Sequence, residues 1–377
     1  MRIAVNARFL LKDRLEGLGR FSDEVLKRIT RSHPEHEFVF FFDRDYDASF
    51  IYAPNIIPVK VFPPARHPFL YYIWFEWRLP ALFRKWKVDA FLSPDGFLSL
   101  STSITQVPVM HDLAFEHYPE YVSKTGAAYY KKYFPRFAKK AARIATVSEF
   151  SKKDIHACYG IAMDKIDVVY NGASPVFKEM APEKIQAFRE SHFGGKPWFV
   201  YVGSLHPRKN IGRLLQAFDA FKKQDNLQYQ LVIIGRKAWQ TREMEDVFAS
   251  MTHKNEVHFT GRISDEELLP YLCAARALTY VPVFEGFGLP LLEGFCCALP
   301  AITSNVSSLP EIAGDAALCV DPLSIAAIAD AMFRLSTEES LYLKLQDKAR
   351  QRATAFSWEL SANKLWQCLE KSIFDRA

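Results

Sequence analysis

Short runs of apolar and β-branched residues alternate with stretches of helical periodicity from one end of the chain to the other, the pattern of βα units laid on a parallel sheet. In the first half the strand candidates are RIAVN (2–6), EFVFFF (37–42), IIPVKVF (56–62), VDAFLS (88–93), VPVMHD (107–112), RIATVS (143–148) and IDVVYN (166–171). A second series restarts at PWFVYVGS (197–204) and continues with YQLVIIG (229–235), EVHFTG (256–261), ALTYVPV (277–283), PAITS (300–304) and AALCV (316–320). Between them lies a polar stretch ending in Gly-Gly, a linker candidate over 172–197. The restart predicts an α/β protein of two doubly wound domains, 1–180 and 190–356. Such sheets bind ligands at the carboxyl ends of their strands, so the cleft between two that face each other is the expected site. The tail FSWELSANKLWQCLEKSIF reads as an amphipathic helix with Trp358, Leu365, Trp366 and Leu369 on its apolar face. It follows the last strand of the second series and is expected, over 357–377, to cross back onto the first domain.

Composition agrees with this picture. The 377 residues exceed one ordinary core and suit two domains of about 150 to 200 residues each. With 49% hydrophobic residues and 31 Phe, both can bury large cores, which excludes a disordered chain. The start, MRIAVNARFLL, lacks the long apolar region and small-residue site of a signal peptide, so the expected location is the cytoplasm. No run reaches the roughly 18 apolar residues of a spanning helix. The six cysteines have no C-x-x-C spacing and sit mostly in apolar runs, so they read as buried, reduced thiols. A net charge of +5 is modest over this length, and no nucleic-acid-binding signature accompanies it.

Candidate chemistry concentrates in FEGFGLPLLEGF (284–295). Gly286 and Gly288 permit backbone shapes that expose N–H groups, and Pro290 suits the first turn of a helix, so this is a glycine loop leading into a helix N-terminus, an anion site. Glu285 precedes that end and Glu293 follows about one turn into the helix. Two carboxylates beside a phosphate site fit a ligand that also carries hydroxyls, a nucleotide sugar. The same spacing also fits a helix-dipole acid and a solvated loop acid. Upstream, YVGSLHPRKNIGRLLQAF runs from strand through loop to helix and sets Arg208 and Lys209 at the helix start, where two cations suit a diphosphate leaving group.

Taken together, VGSLHPRKN, GRISDEEL, FEGFGLPLLEGF and SNVSSLPEIAGDAAL occur in the order and spacing of glycosyltransferase family four, and the chain resembles that family. GLGRF (17–21), HDL (111–113), ATVSEFSKKDI (145–155), VVYNGASPVF and the terminal FSW helix extend the resemblance over nearly the whole sequence. It implies a retaining enzyme of the GT-B fold, similar to bacterial mannosyltransferases of polysaccharide assembly, with a nucleotide-diphosphate sugar as donor and no metal or other cofactor. Glu285 is then expected to contact the transferred sugar and Glu293 the ribose hydroxyls. The amides of Phe287, Gly288 and Leu289 would bind sugar hydroxyls and phosphate oxygens, and Arg208 and Lys209 would neutralise the departing diphosphate. Ile263 falls at the nucleobase contacts, while Arg262 departs from a residue that is often aromatic in the family. Gly17 and Gly19 would let a loop approach the phosphates, with Arg20 starting the helix. His111 is expected near the sugar's primary hydroxyl, and Asp112 only caps or orients.

The expected acceptor is a glycan or lipid-linked glycan. Segment 67–87, with Trp74, Trp77, Trp86, Arg78, Arg84, Lys85 and Lys87, mixes aromatics and cations, and 124–143 is a second basic amphipathic stretch. Both fit docking on an anionic membrane, placing the protein at its inner face, and both equally fit core helices with snorkelling cations. GDP-mannose is the expected donor, with a UDP-sugar donor for glucosyl or N-acetylhexosaminyl transfer as the alternative. Rival functions remain at this point. Asp43 and Asp45 form a D-x-D after an apolar strand, as in metal-dependent transferases of the other architecture. A non-catalytic nucleotide-sugar-binding protein of the same fold and a nucleotide-sugar epimerase or phosphorylase of that architecture are the others.

Overall fold

A computed structural model describes residues 1–12, 15–224, 228–237 and 242–374. The chain divides into one unit formed by Met1–Asn171 with Ser357–Ala377 and another formed by Gly172–Phe356. Each is built on its own parallel sheet.

In the first unit the strands are β1 (Arg2–Asn6), β2 (Glu37–Phe42), β3 (Ile56–Lys60), β4 (Ala90–Ser93), β5 (Thr105–Met110), β6 (Ile144–Thr146) and β7 (Ile166–Val168), in spatial order 3-2-1-4-5-6-7. All seven are parallel. Helices cover the sheet, and β4 and β5 are buried along their whole length. The Gly17–Ser32 helix turns Phe21, Val25, Leu26 and Ile29 inward at helical spacing. Onto it packs the Trp358–Phe374 helix: Trp358 meets Phe21 edge-to-face at 6.1 Å, Trp366 stacks on His33 at 3.7 Å, and Arg28 bonds Glu359 at 2.7 Å. The Ser361 hydroxyl donates to the Tyr170 carbonyl, anchoring the same helix at the end of β7. Trp358, Leu365, Trp366 and Leu369 are all buried there, which is why this tail belongs to the first unit.

The second unit carries β8 (Trp198–Val202), β9 (Gln230–Ile234), β10 (Val257–Gly261), β11 (Ala277–Tyr280), β12 (Ala301–Ser304) and β13 (Ala317–Val320), ordered 10-9-8-11-12-13 and again all parallel. Both sheets therefore reverse direction of growth beside their first strand, between β1 and β4 and between β8 and β11. Ligands of open α/β sheets bind at that reversal, outside the carboxyl ends.

Two expectations need correction. The polar stretch after residue 172 is not a bare linker. It contains the Pro182–Ser191 helix, which packs on the Asp265–Ala274 helix through Phe188 against Tyr271 (5.1 Å) and Arg189 Nε on the Ala274 carbonyl (2.8 Å). Nor are all the thiols buried: Cys297 and Cys368 are, but Cys158 and Cys319 are exposed and Cys273 and Cys296 half-buried. Cys158 rides the outer face of a helix and Cys319 the edge strand β13, so apolar neighbours in sequence did not bring burial.

Glycines close the carboxyl edge of the second sheet. Gly203, Gly235 and Gly261 follow or end β8, β9 and β10 with φ of 148°, 154° and 74°. The Gly203 N–H donates to the Ile234 carbonyl and the Gly235 N–H to the Gly261 carbonyl, each at 2.9 Å. A Cβ on Gly235 would stand 1.8 Å from the Gly203 carbonyl oxygen, so the two loops approach as only glycine allows. Gly235→Ala is therefore expected to cost about 2–3 kcal/mol, read as a lower denaturant midpoint. Gly17→Ala, where a Cβ meets nothing within 4 Å, should leave the midpoint within about 0.5 kcal/mol of the parent.

Candidate active site

After β8 the chain runs through a 3-10 turn, Pro207–Lys209, into the Ile211–Gln224 helix, so Arg208 and Lys209 precede that helix. Asn210 joins them in a left-handed conformation (φ 62°) that asparagine tolerates. Its buried amide donates to the carbonyls of Val281 (3.0 Å) and Pro322 (2.7 Å), stapling this turn to the loop after β11 and to the chain just past β13. The Val283 N–H completes the staple on the Arg208 carbonyl at 3.0 Å. Turn and loop flank the point where the sheet reverses.

That loop places Glu285. The side chain is buried, and its Oε1 receives the Lys209 ammonium, Arg208 Nη1 at 3.1 Å and the Tyr280 hydroxyl at 2.9 Å. Lys209 also donates to the Tyr280 oxygen at 2.8 Å, and Arg208 Nη1 to the Phe284 carbonyl at 2.6 Å. Burial by itself would raise the Glu285 pKa; Arg208, Lys209 and the hydrogen bonds overcome it and hold the carboxyl at about 2. Glu285 is thus an anion throughout the physiological range, resting on two cations. The main chain around it is fixed from the other side by Ser308, whose hydroxyl donates to the carbonyls of Glu285 (2.9 Å) and Phe287 (3.1 Å), and by Ser307 Oγ, which accepts the Glu285 N–H at 3.2 Å.

The glycine loop then enters the Leu289–Cys296 helix as the sequence predicts. Gly288 caps it with φ 102°, and a Cβ there would lie 2.7 Å from Leu309 Cδ2. Pro290 has no N–H and the Leu291 N–H turns back to the Gly288 carbonyl (3.0 Å), so the amides at this end are those of Phe287, Gly288 and Leu289. Phe287 is buried edge-on to Phe356 at 5.6 Å, Leu289 is half-buried, and Glu293 is buried in the helix's second turn. Ile263 lies half-buried just beyond β10 and Arg262 is exposed.

In the first unit, His111 directly follows β5. Its Nε2 lies 2.9 Å from the Pro94 carbonyl, which can only accept, so Nε2 carries the proton. Burial depresses the pKa against the opposing pull of that bond and of Asp112 and Asp95, leaving a neutral ring whose Nδ1 is the acceptor. Phe21 of the GLGRF segment packs edge-on to His111 at 4.9 Å, which brings those two motifs together. Gly17 and Gly19 do not form a loop ahead of Arg20: the helix already begins at Gly17, and Arg20 closes its first turn by donating N–H to the Glu16 carbonyl at 2.8 Å. Asp112 Oδ1 accepts the Ala114 N–H at 3.0 Å in the turn that leads into the Ala114–His117 helix. The D-x-D pair is divided, with Asp43 buried on Arg44 (2.6 Å) and the Ala65 N–H (3.2 Å) and Asp45 turned out to Lys60 (2.6 Å).

Five matches with known proteins follow this geometry. Residues 16–176 match the model described as Glycosyltransferase Family 4, and residues 183–352 the model described as Glycosyl transferases group 1. The chain belongs to this glycosyltransferase family. It is 29% identical over 367 residues to O-antigen chain mannosyltransferase B of Escherichia coli, covering 93% of this chain and 94% of that protein. Among solved structures, Anabaena Alr3699/HepE in complex with UDP-glucose superposes with a TM-score of 0.76 at 15% identity, covering 98% of this chain and all of that one. WaaG, a glycosyltransferase involved in lipopolysaccharide biosynthesis, gives 0.74 at 15% identity, covering 97% and 98%. These neighbours share the GT-B fold.

Several residues of the site escape sequence reasoning. Tyr280 sits at an alternating strand position and reads as core, although its hydroxyl bridges Lys209 and Glu285. Asn210 and Ser308 stood inside the quoted RKN and SNVSSLPE motifs without a role. Asp95, in SPDG, carried no signal at all; it binds Arg8 Nη2 at 2.7 Å and orders the turn that presents the Pro94 carbonyl to His111.

The depressed Glu285 pKa has a thermodynamic consequence. Its folded value lies below the ordinary 4.5, so its contribution to stability is complete above about 4.5 and drains away as pH falls towards 2. Going from about pH 5 to about pH 3, the parent should lose about 2 kcal/mol more than Glu285→Gln in matched denaturant titrations.

Proposed function

We propose that this glycosyltransferase moves a mannosyl group from GDP-mannose, with retention of configuration and without a metal ion, to a glycan or lipid-linked acceptor in cell-surface polysaccharide synthesis. The observation that carries the reading is the Glu285–Lys209–Arg208 cluster at the reversal of the second sheet. Two cations converge on one oxygen of this carboxylate beside a helix end whose amides also attract anions. A sugar diphosphate suits such a place. As the glycosidic bond breaks, negative charge grows on the leaving phosphate, where Arg208, Lys209 and the amides of Phe287, Gly288 and Leu289 stabilise it in the role a metal plays elsewhere. Glu285 serves the transferred sugar, Glu293 the ribose hydroxyls and Ile263 the base, with Gly17 and Gly19 on the phosphate side. His111, neutral and with its Nδ1 accepting, serves the sugar's hydroxyls. No nucleophile is assigned: the acceptor hydroxyl attacks on the face the phosphate leaves, and its proton passes to a phosphate oxygen. Mannose is favoured by the E. coli mannosyltransferase relative. The UDP-glucose complex of HepE favours a second reading, a UDP-sugar donor, on a fold that serves both.

A thermal-shift panel of GDP, UDP, ADP and their sugar conjugates, with and without EDTA, tests the donor. GDP ligands should raise the midpoint with EDTA present, and a shift with UDP alone would replace GDP-mannose by a UDP-sugar. In the same assay Glu285→Gln should keep the nucleotide shift while turnover falls about 10²–10³-fold; near-normal turnover removes Glu285 from catalysis.

A cytoplasmic location against the inner face of the membrane completes the proposal. Among the described residues no helix is long and apolar enough to cross a membrane. Segment 67–87 divides sharply: Trp74 is 0% exposed, whereas Trp77 is 61% exposed and packs edge-on to the exposed Tyr72. Exposed Arg78, Lys85 and Lys87 belong to the same segment. Aromatic rings beside cations suit an anionic headgroup layer. The protein should sediment with anionic vesicles at low salt and not with neutral ones, and Trp77→Ser should weaken that binding about 10-fold; no sedimentation of the parent would remove the membrane from the proposal.

A further inference from the structure

Outside the site, the Ala114–His117 and Glu149–Tyr159 helices of the first unit bring together a histidine, a carboxylate and a thiol. His117 Nε2 lies 2.8 Å from Asp154 Oδ1, and Cys158 Sγ lies 3.5 Å from the same oxygen. All three ligand atoms fall within 4.8 Å of one another. Asp154 and Cys158 are one helical turn apart and so share a face, which the end of the Ala114–His117 helix meets. The Asp154 side chain is only 9% exposed, and its Oδ2 is buried with no hydrogen-bond partner among the described residues. A buried carboxylate with an unpartnered oxygen is costly, and a cation held at Oδ1 with the imidazole and the thiol would lower that cost by neutralising the carboxylate's charge.

We propose that His117, Asp154 and Cys158 form a Zn²⁺ site that ties these two helices together. Imidazole, carboxylate and thiolate in one cluster select zinc among the common divalent ions. With the usual bond lengths, sulfur and oxygen on one tetrahedral zinc stand about 3.6 Å apart, close to the separation present, and the imidazole need retreat from Asp154 by only about 0.6 Å. On binding, the Cys158 thiol releases its proton to solvent and the thiolate takes the metal. Water completes the coordination. The clamp grips the helix whose Ser151 hydroxyl donates to the His111 carbonyl (3.2 Å), so it steadies the segment on which His111 stands and takes no part in transfer.

The test uses the full chain, free of any tag and stripped with chelator, titrated with Co²⁺ and then Zn²⁺. Co²⁺ should give a thiolate-to-metal charge-transfer band that Zn²⁺ abolishes at one equivalent, and Zn²⁺ should raise the thermal midpoint. Cys158→Ser should lose the band and His117→Gln should weaken Zn²⁺ binding at least 10-fold. Both variants, exposed at the altered side chain, should keep the melting behaviour of the metal-free parent and its turnover. His33→Gln, in the separate His33–Glu35–His36 cluster, should leave the band intact. Co²⁺ binding without a thiolate band, or Zn²⁺ affinity unchanged in Cys158→Ser, overturns the site, and neither result bears on whether the enzyme uses GDP-mannose.

Discussion

Burying a carboxylate is costly unless charge or hydrogen bonds compensate it, and in the second unit the cations that do so decide where the loops lie. Glu285 draws Lys209 and Arg208 from the turn after β8 to the loop after β11, across the place where the sheet changes direction. Once the side chains are joined the main chains follow: Asn210 holds the Val281 carbonyl, Val283 the Arg208 carbonyl, and Ser308 the carbonyls of Glu285 and Phe287. The glycines are the other half of the arrangement. Gly235 against Gly203 and Gly288 against Leu309 leave no room for a Cβ, so the backbone at this edge is packed as closely as it can be. Charge brings the loops together and the missing side chains let them meet.

The first unit repeats this arrangement with a different emphasis. Asp95 also lies at the reversal of its sheet and also carries a buried arginine, but it is saturated: Arg8 Nε (2.8 Å) and Nη2 (2.7 Å), Asn6 Nδ2 (2.8 Å), Ser93 Oγ (3.0 Å) and the Phe97 N–H (3.2 Å) all donate to it. Arg8 lies over the Phe97 ring at 4.2 Å and has no charge left over. That cluster is a support, holding the Pro94 carbonyl that fixes the His111 tautomer. Glu285 differs in that its three partners all address one oxygen, Oε1.

The fold was legible in the sequence because strands of a parallel sheet leave apolar runs: twelve of the thirteen strands lie within the expected segments, and β5 starts two residues ahead of its own, at Thr105. The glycine loop and the cations were legible for a similar reason: Gly288 and Lys209 are residue types a backbone or a charge demands. What stayed hidden depends on partners distant in the chain. Tyr280 looks like any strand aromatic until the Lys209 ammonium is found 2.8 Å from its hydroxyl, 71 residues away. Asp95 is a turn residue until Arg8 reaches it over 87 positions. For the 67–87 segment both open readings meet in part: along a π-helical stretch over Ile73–Arg78, Trp74 and Phe75 turn in and Trp77 turns out.

Side chains and main chain divide the work of recognition unequally here, and this bears on what evolution can change. Under the proposed function the diphosphate is met by Arg208 and Lys209, whose positive charge is what such a ligand needs. The amides of Phe287, Gly288 and Leu289 come from the backbone and would be the same for any residues able to hold the shape. Ile263, half-buried after β10 and followed by the Ser264 cap of the next helix, is held in the same manner, by the course of the chain. A site that meets phosphate with a few fixed side chains and the remainder of its ligand with backbone can exchange donors through small shifts of a loop. Structures only 15% identical to this chain, HepE and WaaG, keep its fold, which by itself leaves the ligand open.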